Sequence, residues 1–440
     1  MKMSNLTFKG GVHIPEYKEF SEGAAVTNAQ IPSIVYIPMS QHVGAPCEPI
    51  VKKGDYVKVG QLIGHNEAGL SADIHSSVSG TVKEITERYS ADGWKSMNIA
   101  IESDGLDEID ESIVPVPNYK DLSFDEIVEV AKRAGIVGMG GAGFPLHAKL
   151  RSAKNAEVDT VILNGAECEP FLTCDYRLML EQAEGVSKAC ELIKDILNCN
   201  VGYIGVEDNK PLAIDELVKE CESLNNVGVA SLKTKFPQGD STRILDSVTG
   251  RKVPVGGRTT DVSVFNTNVG TAYALYEALT KGVPLYQRIV TVSGPGVKTP
   301  KNLLTRVGTP ISALIEECGG FVGNVTKVIC GGPMTGNTVF DLDAPILKTT
   351  TGITVLTDDY LDDGEESPCI KCCKCLEVCP SYLNPSDLNA AVCKERFDIA
   401  KELNASECIL CGSCSFICPA KRKLTESIKL AIREIKLRYK

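Results

Sequence analysis

No run of apolar residues in this 440-residue sequence approaches the roughly 18 that a bilayer-spanning helix needs, so no segment is expected to cross a membrane. The opening, MKMSNLTFKGGVHIPEYKEF, lacks the apolar stretch of a secretory signal, and a cytoplasmic location is expected. Basic residues do not predominate: 46 Lys and Arg against 57 Asp and Glu leave a formal charge of −11, which argues against a nucleic acid partner. Histidine is scarce. The five, His13, His42, His65, His75 and His147, include no i, i+4 or H-x-H pair, which excludes a histidine-built metal site. A 43% apolar content suffices for ordinary cores, and the length allows about three domains at about 150 residues each. Cysteine is the exception to this scarcity. Eighteen thiols in a chain read as cytoplasmic point to ligands or small buried side chains rather than disulfides.

Spacing separates the two kinds. Cys369, Cys372, Cys375 and Cys379 before Pro380, then Cys408, Cys411, Cys414 and Cys418 before Pro419, both read C-x2-C-x2-C-x3-C-P. In such runs three thiolates take three corners of a cubane, and the fourth, carried away by three residues and a proline turn, reaches the other cluster. Two [4Fe–4S] clusters are therefore expected, one on Cys369, Cys372, Cys375 and Cys418, the other on Cys408, Cys411, Cys414 and Cys379. Paired zinc sites would leave half of each run idle. Between the runs, Asn384-Pro385-Ser386-Asp387 opens a helix continued by Leu388, Ala391 and Val392, so the cluster domain is expected to be helical. Cys373 and Cys393 lie off the ligand register and read as small buried thiols; most of the other eight read as inert core.

Two clusters in series carry single electrons and need something to load them. Upstream, residues 134–145 (AGIVGMGGAGFP) crowd five glycines into nine positions, which lets backbone N–H groups approach a phosphate or a flat ring. The loop follows a helix, opened by the capping-box pattern Ser123 to Glu126 and carried by Ile127, Val130, Ala131 and Ala134. The ordinary dinucleotide fingerprint follows a strand, so that reading fails. A second helix is expected from about Pro145, with Lys149 one turn in and able to meet an anionic phosphate. Then Val158–Leu163 reads as a strand that releases Asn164-Gly165-Ala166-Glu167-Cys168-Glu169-Pro170 at its carboxyl end, where open α/β sheets bind ligands. In an extended chain only one of Glu167 and Glu169 would face a given side.

Residues 42–61 and 75–82 alternate as short strands with Gly-Asp and Ser-Gly turns and look like a lipoyl/biotinyl-type sandwich. No lysine occurs from Gly60 to Val82, so a swinging-arm carrier is excluded and a structural or docking role is expected. Residues 290–320 give strand, turn, helix start and Gly stop, resembling a soluble-ligand-binding β-grasp (SLBB) domain, for which a packing role is expected. Residues 358–366 put six carboxylates in nine positions, a solvated linker. The tail from Lys421 to Lys440 carries eight basic and two acidic residues, with Leu424, Ile428, Ala431, Ile432 and Ile435 on one helix face. That asymmetry points to docking on an acidic partner or anionic lipid.

Together the Gly loop with Lys149, NGAECEP, both cysteine runs and the N-terminal FKGGVHIPEYK resemble the C subunits of Rnf-type membrane-bound, ion-translocating ferredoxin:NAD+ oxidoreductases. The middle is also similar to the NADH-binding flavoprotein subunit of respiratory complex I. The resemblance implies FMN on Gly138, Gly140, Gly141, Lys149, Asn164 and Glu167, with Asn266, Asn268 and Thr271 near the flavin phosphate and NAD(H) as substrate. Phe144 and Glu169 would face the nicotinamide, with Glu169 and Lys149 as the catalytic pair. Met139 and Ala166 depart from complex I, where an arginine and an aspartate stand. Expected architecture is multidomain α/β and α+β: a lipoyl-like sandwich over 1–115, a Rossmann-like FMN/NADH domain over 116–285, the SLBB β-grasp over 286–357 and a helical bis-[4Fe–4S] ferredoxin domain over 358–440. Implied partners are the membrane subunits, a B-type ferredoxin-accepting subunit and, through it, ferredoxin, with the chain peripheral on the cytoplasmic face of the membrane. Two other readings share the motifs: a soluble cobalamin reductase of bacterial microcompartments, and a non-enzymatic wiring subunit that binds no nucleotide.

Overall fold

The computed structural model describes residues 2–361 and 364–438. At its centre is a five-stranded, all-parallel sheet in the order Lys2–Leu6, Val227–Leu232, Val201–Glu207, Thr160–Gly165, Val264–Asn268. Its strands read as near-continuous apolar runs because helices cover both faces. Successive strands step one way from Thr160–Gly165 to Val201–Glu207 and Val227–Leu232, then the order reverses to place Val264–Asn268 on the other flank. The switch point therefore lies between Thr160–Gly165 and Val264–Asn268, with Asn164 in register with Asn268. Open α/β sheets take ligands in the crevice beyond the strand ends at such a point.

Two small sheets form the N-terminal sandwich. One orders Ile34–Pro38, Lys95–Ser103, Gly80–Tyr89 and Tyr56–Val57; the other orders Glu48–Pro49, Leu62–His65 and Ile74–His75. Val35, Ile37, Ile63, Ile74, Ile99 and Ile101 fill the space between them. The β-grasp sheet has six strands with the helix Ile311–Glu317 against it. The domain division expected over 1–115 is corrected at its start. Lys2–Leu6 pairs in parallel with Val227–Leu232, and Val26–Asn28 pairs with Lys301–Arg306, so residues 2–28 stitch two other sheets before the sandwich begins.

The cysteine-rich region is helical, with Pro385–Cys393, Phe397–Glu402 and Leu424–Arg438 packed around Leu388, Phe397, Ala400, Ile428 and Ala431. Asn384 caps the first of these, accepting from the Asp387 N–H. Leu424, Ile428, Ala431 and Ile435 are buried, the last three in that core, so the apolar face of the terminal helix is spent within the domain. Asp362 and Asp363 of the acidic linker, and Tyr439 and Lys440 of the basic tail, lie outside the described residues. Cys373 and Cys393 are exposed, against the expectation of buried thiols: Cys373 sits at a left-handed turn that leads its side chain off the fold. The other eight scattered cysteines are buried or half-buried, and burial pushes Cys199 and Cys330 up to about 11 and Cys318 up to about 12, the behaviour of inert core thiols.

Candidate functional site

The glycine segment joins two helices, as its flanks predict. Phe124–Arg133 opens on a full capping box between Ser123 and Glu126, and Leu146–Asn155 begins after Pro145. The segment is held from three directions. The Thr271 hydroxyl accepts from Met139 N–H at 2.9 Å, Arg288 donates to Met139 C=O at 3.1 Å, and Lys348 Nζ donates to Gly135 C=O at 2.7 Å. Its fourth contact comes from the sandwich, where Val43 N–H donates to Gly143 C=O at 3.2 Å. Thr271, expected at the flavin phosphate, is fully buried behind the loop and supports it from there.

Above the loop lies a cavity of about 770 Å³ at the switch point. Gly138, Gly140, Gly141, Phe144, Lys149, Asn164, Glu167, Glu169, Asn266 and Asn268, ten of the eleven expected FMN and nucleotide residues, line it together. A Cβ on Gly141 would meet no atom within 4 Å, so it would project only into the cavity, and the protein leaves a flat floor there. Lys149 is sunk in the wall with Nζ 5.6 Å over the Phe265 ring, and burial alone pushes it down to about 8. Among the described residues no carboxylate pairs with it. A flat floor beside a half-buried ammonium with no carboxylate partner among the described residues fits a planar ring carrying a phosphate.

Asn164 accepts from Ala166 N–H and donates to Gly239 C=O at 2.7 Å, fixing the turn off the strand end. Asn268 accepts from Gly270 and Thr271 N–H as cap of the next helix and donates to Asp175 at 2.6 Å. Asp175 is buried, and desolvation with the nearby Glu167 carboxylate pushes it up to about 7. The chain does not stay extended here: Glu167 adopts φ 47°, and both Glu167 and Glu169 line the cavity. Glu167 accepts from Asp175 and Tyr176 N–H at the start of helix Cys174–Glu181. Glu169 accepts from the Thr335 hydroxyl and from Met334 N–H at 3.0 Å; burial raises its carboxyl while these donors oppose the rise.

Several walls escaped the sequence reading. The β-grasp, expected to pack only, supplies Cys330 to Gly332 and Thr335 to Asn337, and a Cβ on Gly332 would strike Glu169 at 2.3 Å. The run CGGPMTG, glycine-rich like the first loop, was the available signal. Asp240, cap of helix Ser241–Thr249, adds a third wall, and Ala91 and Asp92 reach in from the sandwich hairpin.

The cysteine runs sit differently. Cys379, Cys408, Cys411 and Cys414 line one small cavity closed by Leu383, Pro385, Ile409 and Ile428, and their charges would be mutually felt. That cavity joins three thiols of the second run to the last of the first. Cys411 and Ile409 also line the large cavity. Cys375 lies near Cys418, while Cys369 and Cys372 are exposed.

Comparison with known proteins agrees with this layout. The family model of the Nuo51 FMN-binding domain matches residues 131–277, that of the RnfC barrel sandwich hybrid domain residues 6–106, and that of the SLBB domain residues 289–338. The chain is 46% identical to the C subunit of a proton-translocating ferredoxin:NAD(+) oxidoreductase complex of Clostridium ljungdahlii, over 96% of this chain and 93% of that one. It is 45% identical to the C subunit of a Na(+)-translocating ferredoxin:NAD(+) oxidoreductase complex of Acetobacterium woodii, over 99% and 98%. The C subunit of a Rhodobacter capsulatus ion-translocating oxidoreductase complex is 35% identical over 89% of this chain and 76% of its own. Among solved structures, an NAD+-reducing [NiFe]-hydrogenase superposes with TM-score 0.49 at 15% identity, covering 74% of this chain and 64% of that chain. From the full-length identities and the matching domain series, the chain belongs to the family of C subunits of ion-translocating ferredoxin:NAD+ oxidoreductase complexes.

Proposed function

We propose that this chain is the peripheral subunit of such a complex that exchanges a hydride with NAD(H) at FMN and moves single electrons through two [4Fe–4S] clusters. One observation carries the reading: the glycine floor, the strand-end carboxylates and Cys411 are walls of the same cavity. Gly138, Gly140 and Gly141 form the surface on which FMN lies, Lys149 neutralises its phosphate, and Asn164, Glu167, Asn266 and Asn268 close the strand-end side. Bound there, FMN accepts two electrons as a hydride and releases them singly. Phe144 and Glu169 orient the nicotinamide, with Glu169 held in place by Thr335 and Met334 N–H.

Cys408, Cys411, Cys414 and Cys379 hold the cluster next to the cavity, and Cys369, Cys372, Cys375 and Cys418 hold the one nearer the surface. From there electrons pass to or from a B-type subunit and, through it, ferredoxin. Among the described residues no helix is long and apolar enough to cross a membrane. The chain attaches to the cytoplasmic face, and ion movement belongs to the membrane subunits of the complex. The deciding experiment is a flavin and iron count on anaerobically purified protein, followed by NADH addition. We expect about one FMN and eight irons, the stoichiometry of two cubanes and one flavin, with NADH bleaching both chromophores. Protein that took up FMN yet was not reduced by NADH would overturn the assignment.

A further inference from the structure

The N-terminal FKGGVHIPEYK matches the family, but neither the cavity nor the clusters explain it. Its course does. Lys235 Nζ donates to Phe8 C=O at 2.5 Å and Gly10 C=O at 2.9 Å and lies 4.0 Å over the Phe8 ring. Gly11 N–H donates to Val378 C=O at 2.9 Å, one residue before Cys379. Val12 exchanges both backbone hydrogen bonds with Phe236, a wall of the large cavity. Val12, Phe236 and Cys411 share one apolar cluster with Ile14, Cys168, Met334, Val378 and Ile417. The segment ends at Lys18, a buried residue whose Nζ donates to the carbonyls of Glu167, Glu169 and Leu172 at 2.8, 2.7 and 2.6 Å. Within eleven residues the chain thus touches the backbone beside Cys379 and the backbone of the strand-end loop.

We infer that the segment Phe8–Lys18 is a tie that sets the separation between the nucleotide cavity and the adjacent cluster, with Gly10 and Gly11 as positioning residues for electron transfer. Both glycines hold positive φ, +89° and +81°. A Cβ on Gly10 would meet Val378 and Cys379 carbonyl oxygens at 3.2 Å, and one on Gly11 would meet Phe236 C=O at 2.7 Å. Any side chain at these positions therefore wedges the cluster loop and the cavity wall apart. Three carbonyls on one buried ammonium anchor the other end, because withdrawing them would leave that charge unsatisfied. Electron transfer between fixed centres decays steeply with their separation, whereas hydride transfer within the cavity does not depend on it.

This inference rests on the function proposed above, and the two can fail separately. In the net reaction, NADH and two oxidised cubanes give NAD+, one proton released to solvent and two reduced cubanes. Anaerobic stopped-flow on the full-length protein, loaded with FMN and iron, follows flavin bleaching and cluster bleaching after NADH in wild type, Gly10→Val and Lys235→Met. We expect flavin bleaching within about twofold of wild type and cluster reduction slowed about tenfold or more in both variants. Amide exchange of the flavin-free protein should also quicken over 374–383 in each. Unchanged cluster reduction in both variants at full iron content overturns the tie, as does loss of iron in both, which would make the segment a cluster-retention element. Wild-type protein whose flavin NADH does not bleach overturns the functional reading instead.

Discussion

The two cysteine runs are written alike and housed differently. In the second, Cys411 and Cys414 are buried and Cys411 forms part of the nucleotide cavity; in the first, Cys369 and Cys372 are exposed, beside an Ile370 that is 67% exposed. Identical spacing is thus set in unlike surroundings; in the function proposed above, those surroundings place the second run inside the wire and the first at its outer end. An enclosed centre exchanges electrons with what lies inside, an exposed one with what docks outside, and exposure also shifts cluster potential. Cys379 lines the small cavity with thiols of the second run and Cys418 lies near Cys375, so the last cysteine of each run sits with the other run.

Breaking the inner site should have the larger effect. Cys411→Ser should halve the iron content and abolish electron output to external acceptors while NADH still bleaches the flavin. Cys372→Ser should leave the inner cluster reducible by NADH. If EPR after NADH shows the same residual cluster in both variants, the inner and outer assignment is wrong. Lys149→Met should weaken FMN binding to the flavin-free protein about a hundredfold, because a phosphate charge would lose its half-buried partner. Wild-type FMN affinity carries a pH signature as well. With Lys149 near 8 in the free protein and raised by a bound phosphate, binding takes up a proton above pH 8 but not below. Affinity in a fluorescence titration should therefore be flat below pH 8 and fall by up to about tenfold per unit above it. Glu169→Gln should slow NADH oxidation about tenfold, since a neutral amide cannot accept equally from Thr335 and Met334 N–H, with both cluster EPR signals intact. The smallest effect is spectroscopic: a soluble paramagnetic ion should broaden the outer cluster's signal and spare the inner one.

What the sequence made legible follows from range. The capping box, the glycine loop between helices and the Asn384 cap are local patterns, read within a few residues of where they act. The cysteine runs are legible as a spacing repeated within twelve residues each time. Strand partnership is not local: nothing near Lys2–Leu6 says that it lies beside Val227–Leu232, or near Val26–Asn28 that it extends the β-grasp. The same limit hid the β-grasp wall, because Gly332 acquires its meaning only when Glu169 arrives from more than 160 residues away. The left-handed turn at Glu167 that brings both carboxylates to the cavity has no local mark in the sequence, where an extended strand end would have separated them.

The placement of Lys2–Leu6 at the sheet edge bears on how the molecule is made. Lys2–Leu6 is made before its partner Val227–Leu232, as Val12 is made before Phe236 and Gly11 before Val378. Lys2–Leu6 and Val12 wait for partners more than 220 residues further along, and Gly11 for one more than 360 residues further along. The contact of Gly11 with Val378 can form only after the sheet partners have been made, so the join between the parallel sheet and the cysteine-rich region comes later than the closing of that sheet.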